Sequence, residues 1–200
     1  VMAEFSDGCG KNWTWANPRP QGNTLLDIAW SEEQHQFIAV GHSGTMLKSV
    51  DGSTWQSIPF DNSEVRLLSS IGWNGYLWIT VGLDGEIFRS SDGVNWQEST
   101  SGTTRRLGAV DWNGHQWVAV GGGTILTSTD GVSWTEQTSG ATEFEVLSTI
   151  GWDGLRWVAL STTGNVVTSP DGITWEFLST NTSERFEAIA WDGKQWLAVG

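Results

Sequence analysis

Short apolar stretches recur along the chain at a nearly constant interval. LLDIAW, LLSSIGW, LGAVDW, LSTIGW and FEAIAW close on Trp30, Trp73, Trp112, Trp152 and Trp191. Five to seven residues later an aromatic residue opens a second stretch: FIAVG at Phe37, WITVG at Trp78, WVAVG at Trp117, WVALS at Trp157 and WLAVG at Trp196. A third follows in four units as TMLKS, EIFRS, TILTS and NVVTS. Each of these four runs into SVDGSTW, SSDGVNW, STDGVSW or SPDGITW, whose Asp residues are 51, 92, 130 and 171. Stretches this short, rich in β-branched and aromatic residues and bounded by Gly-containing turns, read as strands. No segment keeps a helical period. Asn74-Gly75, Asn113-Gly114, Asp153-Gly154 and Asp192-Gly193 mark tight hairpins between first and second strands. The first unit carries a longer connection, Ser31 to Gln36. Gly121-Gly122-Gly123 is followed by a strand, so it reads as a hairpin and not as a phosphate loop.

Four antiparallel strands in about 40 residues make a propeller blade. One blade cannot bury both faces, so the repeated Trp must pack between neighbours. The expected fold is all-β, a five-bladed β-propeller of four-stranded blades in a single domain, 1–200. The blades run over about 24–60, 66–100, 105–139, 145–180, and 185–200 plus 1–15. The fifth unit ends after its second strand, and VMAEFSDG at the start matches TMLKSVDG at 45–52. Strands from the two termini are therefore expected to share the last blade and remove an open edge. The alternative is a slice of a longer repeat array.

Composition narrows the function. With 23 acidic and 10 basic residues the net charge is −13, which disfavours nucleic acid. The single Cys excludes an intrachain disulfide and a Cys-built zinc site. His35, His42 and His115 have no metal-ligand spacing, and no apolar run reaches membrane-spanning length. No metal or cofactor is expected, nor insertion into a membrane.

In the SxDGxxW motif, Ser and Asp can bond turn amides, Gly permits positive φ, and Trp covers the apolar layer. Ser49, Asp51 and Trp55, with Ser90, Asp92 and Trp96, Ser128, Asp130 and Trp134, and Ser169, Asp171 and Trp175, read as a folding device made once per blade. These strings resemble the BNR or Asp-box repeats of bacterial propeller proteins, one residue shorter in the turn than the usual SxDxGxTW. The resemblance implies a turn on the outer edge, and a secreted protein, extracellular or periplasmic. The family spans sialidases, sortilin-type receptors, lectin-like propellers and a photosystem assembly factor. A sialidase would need an arginine triad and a Tyr/Glu nucleophile pair. The one Tyr, Tyr76, falls in a first-to-second-strand hairpin, on the wrong face.

Arg66, Arg105, Arg106 and Arg185, four of the seven Arg, fall in the loops between fourth and first strands, beside Glu64, Glu143, Glu145 and Glu184. Such a cluster in an acidic chain suits bidentate binding of a carboxylate, or it pairs internally between blades. Trp15 stands outside the repeated aromatic series and is the candidate exposed aromatic. The expected function is a non-catalytic binding module for a carbohydrate or protein ligand at the mouth of the ring or between blades, with oligomerisation open. Two alternatives remain. One is a structural subunit. The other is a glycoside hydrolase using Asp27, Asp111 and Glu187, which lie three, one and four residues before their Trp and so need not converge.

Overall fold

The computed structural model describes residues 22–60, 67–138, 146–180, 182 and 184–200, together with the backbone of two strands before them. Those two, β1 (Ala3–Ser6) and β2 (Asn12–Trp15), pair antiparallel. Four four-stranded antiparallel sheets follow in chain order. The first contains β3 (Leu25–Ser31), β4 (Gln36–Gly41), β5 (Met46–Ser49) and β6 (Gln56–Ser57). The second contains β7 (Leu68–Trp73), β8 (Trp78–Gly82), β9 (Ile87–Ser90) and β10 (Gln97–Glu98). The third contains β11 (Leu107–Trp112), β12 (Trp117–Gly121), β13 (Ile125–Ser128) and β14 (Thr135–Gln137). The fourth contains β15 (Leu147–Trp152), β16 (Trp157–Ser161), β17 (Val166–Ser169) and β18 (Glu176–Leu178). Finally β19 (Ala188–Trp191) pairs with β20 (Trp196–Val199). The one helical element among the described residues is a single 3₁₀ turn, Leu83–Gly85, between β8 and β9.

The hairpin between first and second strands is built by one side chain. Asn74 Oδ1 accepts the N–H groups of Tyr76 and Leu77 at 3.0 and 2.7 Å. Asp153 Oδ1 does the same for Leu155 and Arg156 at 2.8 and 2.7 Å. A short side-chain acceptor ahead of Gly satisfies two turn amides that the ladder leaves free. The turn brings paired aromatics together: Trp73 on Trp78, Trp112 on Trp117 and Trp152 on Trp157, with ring centroids 4.7, 5.2 and 5.1 Å apart. The second strands β8, β12 and β16 are buried throughout. They are covered on both faces and therefore read as unbroken apolar runs. The Gly ending β8 and β12 is a packing requirement: a Cβ there would lie 2.1 Å from Leu67 O at Gly82, and 1.9 Å from Arg106 O at Gly121.

The Asp-box turn closes on itself. Asp92 Oδ1 accepts Val94 N and Asn95 N, each at 2.8 Å, while Ser90 Oγ donates to Asp92 at 2.9 Å and accepts Gly93 N at 2.9 Å. Asp51, Asp130 and Asp171 repeat this arrangement. The donated amides, those of Thr54, Asn95, Ser133 and Thr174 foremost, hold all four carboxyls well below the ordinary carboxylate range. The closing indoles of Trp55 and Trp175 each donate to the carbonyl of the box Gly at 2.9 Å.

The core lies between sheets. Trp78 packs with Ile38, Val40 and Met46 of the preceding sheet, and Trp117 packs with Ile79, Val81 and Ile87 in the same way. Trp157 packs with Val118, Val120 and Ile125. All three Trp are fully buried. Packing of this kind is what a propeller-type fold requires of its neighbouring sheets. On β20, by contrast, Leu197 and Val199 are 50% and 64% exposed. No pairing joins the β19–β20 sheet to the β1–β2 sheet among the described residues.

Candidate functional site

The first strands β3, β7, β11, β15 and β19 lie side by side and line one cavity of about 460 Å³. Each is an edge strand of its sheet, so half of its amide groups have no ladder partner. Side chains of the preceding sheet meet part of this need. Asp27 Oδ2 accepts Ile71 N at 2.9 Å and the Ser70 hydroxyl at 2.7 Å, and Asp27 Oδ1 accepts Ile28 N at 2.8 Å. Ser70 Oγ in turn accepts Val110 N at 3.3 Å. Asp27, Ser70, Ala109 and Thr149 share one register position, opposite Val40, Val81, Val120 and Leu160. Ala109 cannot accept a hydrogen bond. Two residues on, Asp111 bonds Trp112 N at 2.8 Å and the backbone N–H of Trp152 in the following sheet. A polar relay thus runs from sheet to sheet around the channel.

Both carboxyls carry an electrostatic cost. Burial pushes Asp27 above its ordinary range, against the lowering effect of the bonds from Ile71, Ser70 and Ile28. Asp111 is pushed up to about 6, first by burial, with the negative charge of Asp27 adding to the rise. The structure therefore brings together acids that counting back from Trp left apart. Asp27 and Asp111 are both an odd number of residues before their Trp. Alternation along a strand sends odd offsets to one side, and that parity was the signal available in the sequence. Glu187 lines the same cavity but is exposed, with Oε1 2.7 Å from Arg185 Nε.

The arginine cluster divides. Arg106 and Arg185 border a smaller cavity of about 130 Å³ that shares Ser69, Ser148 and Glu187 with the channel. They stand at its mouth. Arg106 is exposed and makes no ion pair among the described residues. Arg105 turns elsewhere. It donates to Gly123 O at 2.9 Å, sits 3.9 Å from Glu136, and borders a separate groove with Asp84, Glu86 and Glu98. Arg66, Glu64, Glu143 and Glu145, and the side chain of Trp15, lie outside the described residues. The box residues sit at the opposite ends of the strands, in the turns between third and fourth strands, where each Asp is committed to its own turn. Among the described residues no group of three or more His, Cys, Asp or Glu could hold a metal ion. Sequence reasoning missed Ser69, whose Oγ is buried on the channel wall without a hydrogen-bond partner.

No protein-family model matches the chain, and no curated protein matches it. Solved structures do. YCF48 from Cyanidioschyzon merolae is similar at 22% identity with a TM-score of 0.66, over 87% of this chain and 62% of that one. YCF48 bound to D1 peptide is similar at 24% and 0.63, over 85% of this chain and 58% of the other. An ancestral GH74 enzyme is similar at 15% and 0.70, over 90% of this chain and 29% of the other. The chain spans less than two thirds of the length of each. At these identities the likeness is one of fold, and it agrees with the sheets and their packing: the chain has a propeller-type, all-β fold.

Proposed function

We propose that the chain is a non-catalytic interaction module that binds a carboxylate-bearing protein segment at the channel mouth. The observation that carries this reading is Arg106, an exposed guanidinium with no ion partner among the described residues, beside Arg185, in a chain of net charge −13. A planar fork of donors suits a carboxylate. One of the similar structures is YCF48 bound to D1 peptide, which supports a protein ligand over a carbohydrate. The channel acids favour binding over hydrolysis, since Asp27 already accepts three hydrogen bonds and Asp111 two from the fold itself. The test is a panel of peptides with free or amidated C-termini, run beside a glycan array. Free-acid peptides should bind, and Arg106→Ala with Arg185→Ala should weaken them at least about tenfold, or about 1.4 kcal/mol. Binding that survives both changes, or that appears only on glycans, overturns the reading. Arg66 and Trp15 remain candidate ligand contacts in this proposal, while Arg105, which borders its own groove, does not.

The reading includes a closed ring of five blades, with β1 and β2 completing the β19–β20 sheet. The uncovered face of β20 at Leu197 and Val199, whose counterparts Ile38 and Val40 pack on the next sheet, and the match of residues 1–8 to 45–52 support it. Because Ala39 pairs with Leu47 on β4 and β5, the repeat sets Ala198 opposite Ala3. Ala3→Cys with Ala198→Cys, in a Cys9→Ser background, should form an intramolecular disulfide. A cross-linked dimer would instead show strand exchange between copies.

A further inference from the structure

In the second, third and fourth sheets the first strand turns Ile71, Val110 and Ile150 onto the preceding sheet, where all three are buried. Ile28 holds the same register position on β3, opposite Ala39 as Ile71 is opposite Thr80, yet it is 47% exposed. Its neighbours on that face, Leu26 and Trp30, are 44% and 37% exposed, while Asp27 and Ala29 between them are partly buried. Alternation along a strand places the three on one side. At about 3.3 Å per residue they form an apolar strip about 13 Å long. The strip is held in shape: the Trp30 indole donates to Glu32 at 2.8 Å and its ring packs on Phe37 with centroids 4.4 Å apart.

One end of the strip lies at the mouth. Leu26 borders the channel and also the smaller cavity of Arg106 and Arg185. We propose that the strip continues the mouth site, and that the ligand is an extended protein segment whose apolar residues precede its terminal carboxylate. The carboxylate meets Arg106 and Arg185, and the apolar side chains lie on Leu26, Ile28 and Trp30. The inference rests on the mouth reading for its anchor and adds the class of ligand. Single exposed apolar side chains are ordinary on a protein surface; three in line that end beside two guanidinium groups form an amphipathic track. On the other side of the cavity Ala188 and Ala190 are exposed, so a chain lying there meets apolar surface twice. In the closed ring, β1 and β2 extend the last sheet outward from β20 and leave the strip uncovered. The chemistry selects the segment. A glycan carries hydroxyls along its length, and the three side chains offer it no free donor or acceptor, since the Trp30 N–H is already given to Glu32. An extended peptide repeats its side chains on one face every two residues, about 6.6 Å, which is the spacing of the strip itself.

The probes are three hexapeptides acetylated at the N-terminus and read by calorimetry. One alternates Thr and Val and ends in a free carboxylate, the second is its C-terminal amide, and the third is a free acid with Ser in place of Val. The Val acid should bind at least about tenfold more tightly than the Ser acid, because its side chains leave water on the strip. Leu26→Ser with Ile28→Ser should bring the Val acid down to the Ser acid and leave the Ser acid unchanged. Both positions are exposed, so urea melts should show the fold intact. Val50→Ser, at an exposed apolar side chain in an Asp-box turn, should change no affinity. Arg106→Ala with Arg185→Ala should weaken both acids alike. Equal affinity of the two acids, both lost in the arginine variant, overturns this inference and leaves the mouth reading standing. A Val peptide that binds equally as acid and amide, and only through Leu26 and Ile28, overturns the mouth reading and keeps the strip. Binding by none of the peptides overturns both. A dimer in sedimentation that Leu26→Ser with Ile28→Ser dissolves gives the strip to a second copy and overturns the inference as well.

Discussion

Asp111→Asn isolates the electrostatic cost of the channel and gives a magnitude to test. A carboxyl raised by burial binds its proton more tightly in the folded chain than in the unfolded one. Its contribution is fully favourable below the ordinary value of 3.8 and is lost as the pH rises through about 6. At about 1.4 kcal/mol per pH unit, the rise from 3.8 to about 6 corresponds to about 3 kcal/mol. Because Asp111 is only half-buried, channel water screens part of this, and about 2 kcal/mol is the working figure. Asn keeps the shape and never ionises. It can accept the N–H of Trp112 or that of Trp152 through one oxygen only, so a pH-independent offset of about 1–3 kcal/mol is expected. The test is therefore the slope. In urea melts of both proteins in phosphate or acetate buffer, the stability difference should move in favour of Asn by about 1.5–2 kcal/mol between pH 4 and pH 7.5. For a chain of this size that is about 3–8 °C in Tm. Taking the difference cancels the Asp-box acids, which titrate alike in both proteins. Parallel pH profiles would refute the reasoning and place Asp111 in ordinary solvent.

Two further outcomes follow from the packing. Gly72→Ala places a Cβ 2.8 Å from Cζ3 of Trp117, a fully buried ring with no room to retreat, and should cost about 1–3 kcal/mol in chemical denaturation; a change below 0.5 would show that the ring moves. Asp130→Ala frees the N–H groups of Val132 and Ser133, which are exposed and can turn to water, so the loss should be about 1 kcal/mol with peptide affinity at the mouth unaltered. The Asp-box acids have the opposite pH sign to Asp111. Their lowered carboxyls stabilise the fold above about pH 4, and that stabilisation is lost as the pH falls.

The sheets were legible because the repeat wrote each element four or five times. Trp112 and Trp117 on either side of Asn113-Gly114 announce a hairpin on their own, and Ser128, Asp130 and Trp134 announce the turn after the third strand. The site was less legible, for a geometric reason. Asp27 and Asp111 stand at different levels of their strands, opposite Val40 and Val118. Distance from Trp therefore seemed to scatter the acids, while strand parity placed them on one side. Arg105 and Arg106 failed differently: neighbours in the same loop, they separate into two cavities, and no periodicity governs a loop. Ser69 carried no signal at all, since an orphaned hydroxyl is defined by what does not surround it.

The relay around the channel has a direction. Asp27 serves the strand after its own, Ser70 serves the next, and where Ala109 breaks the series Asp111 resumes it two residues later. Each unit is therefore complete only with a particular successor, although all share one plan. Exchanging the second and third units would set Asp27 against Val110 with no Ser70 hydroxyl beside it. The Asp111 carboxylate would then face β7, a strand built to meet Ala29 at that level. Duplication can supply near-identical parts, but this chain has since become ordered. Its units are no longer interchangeable, and recombining them as modules would require carrying over pairs of neighbours rather than single copies.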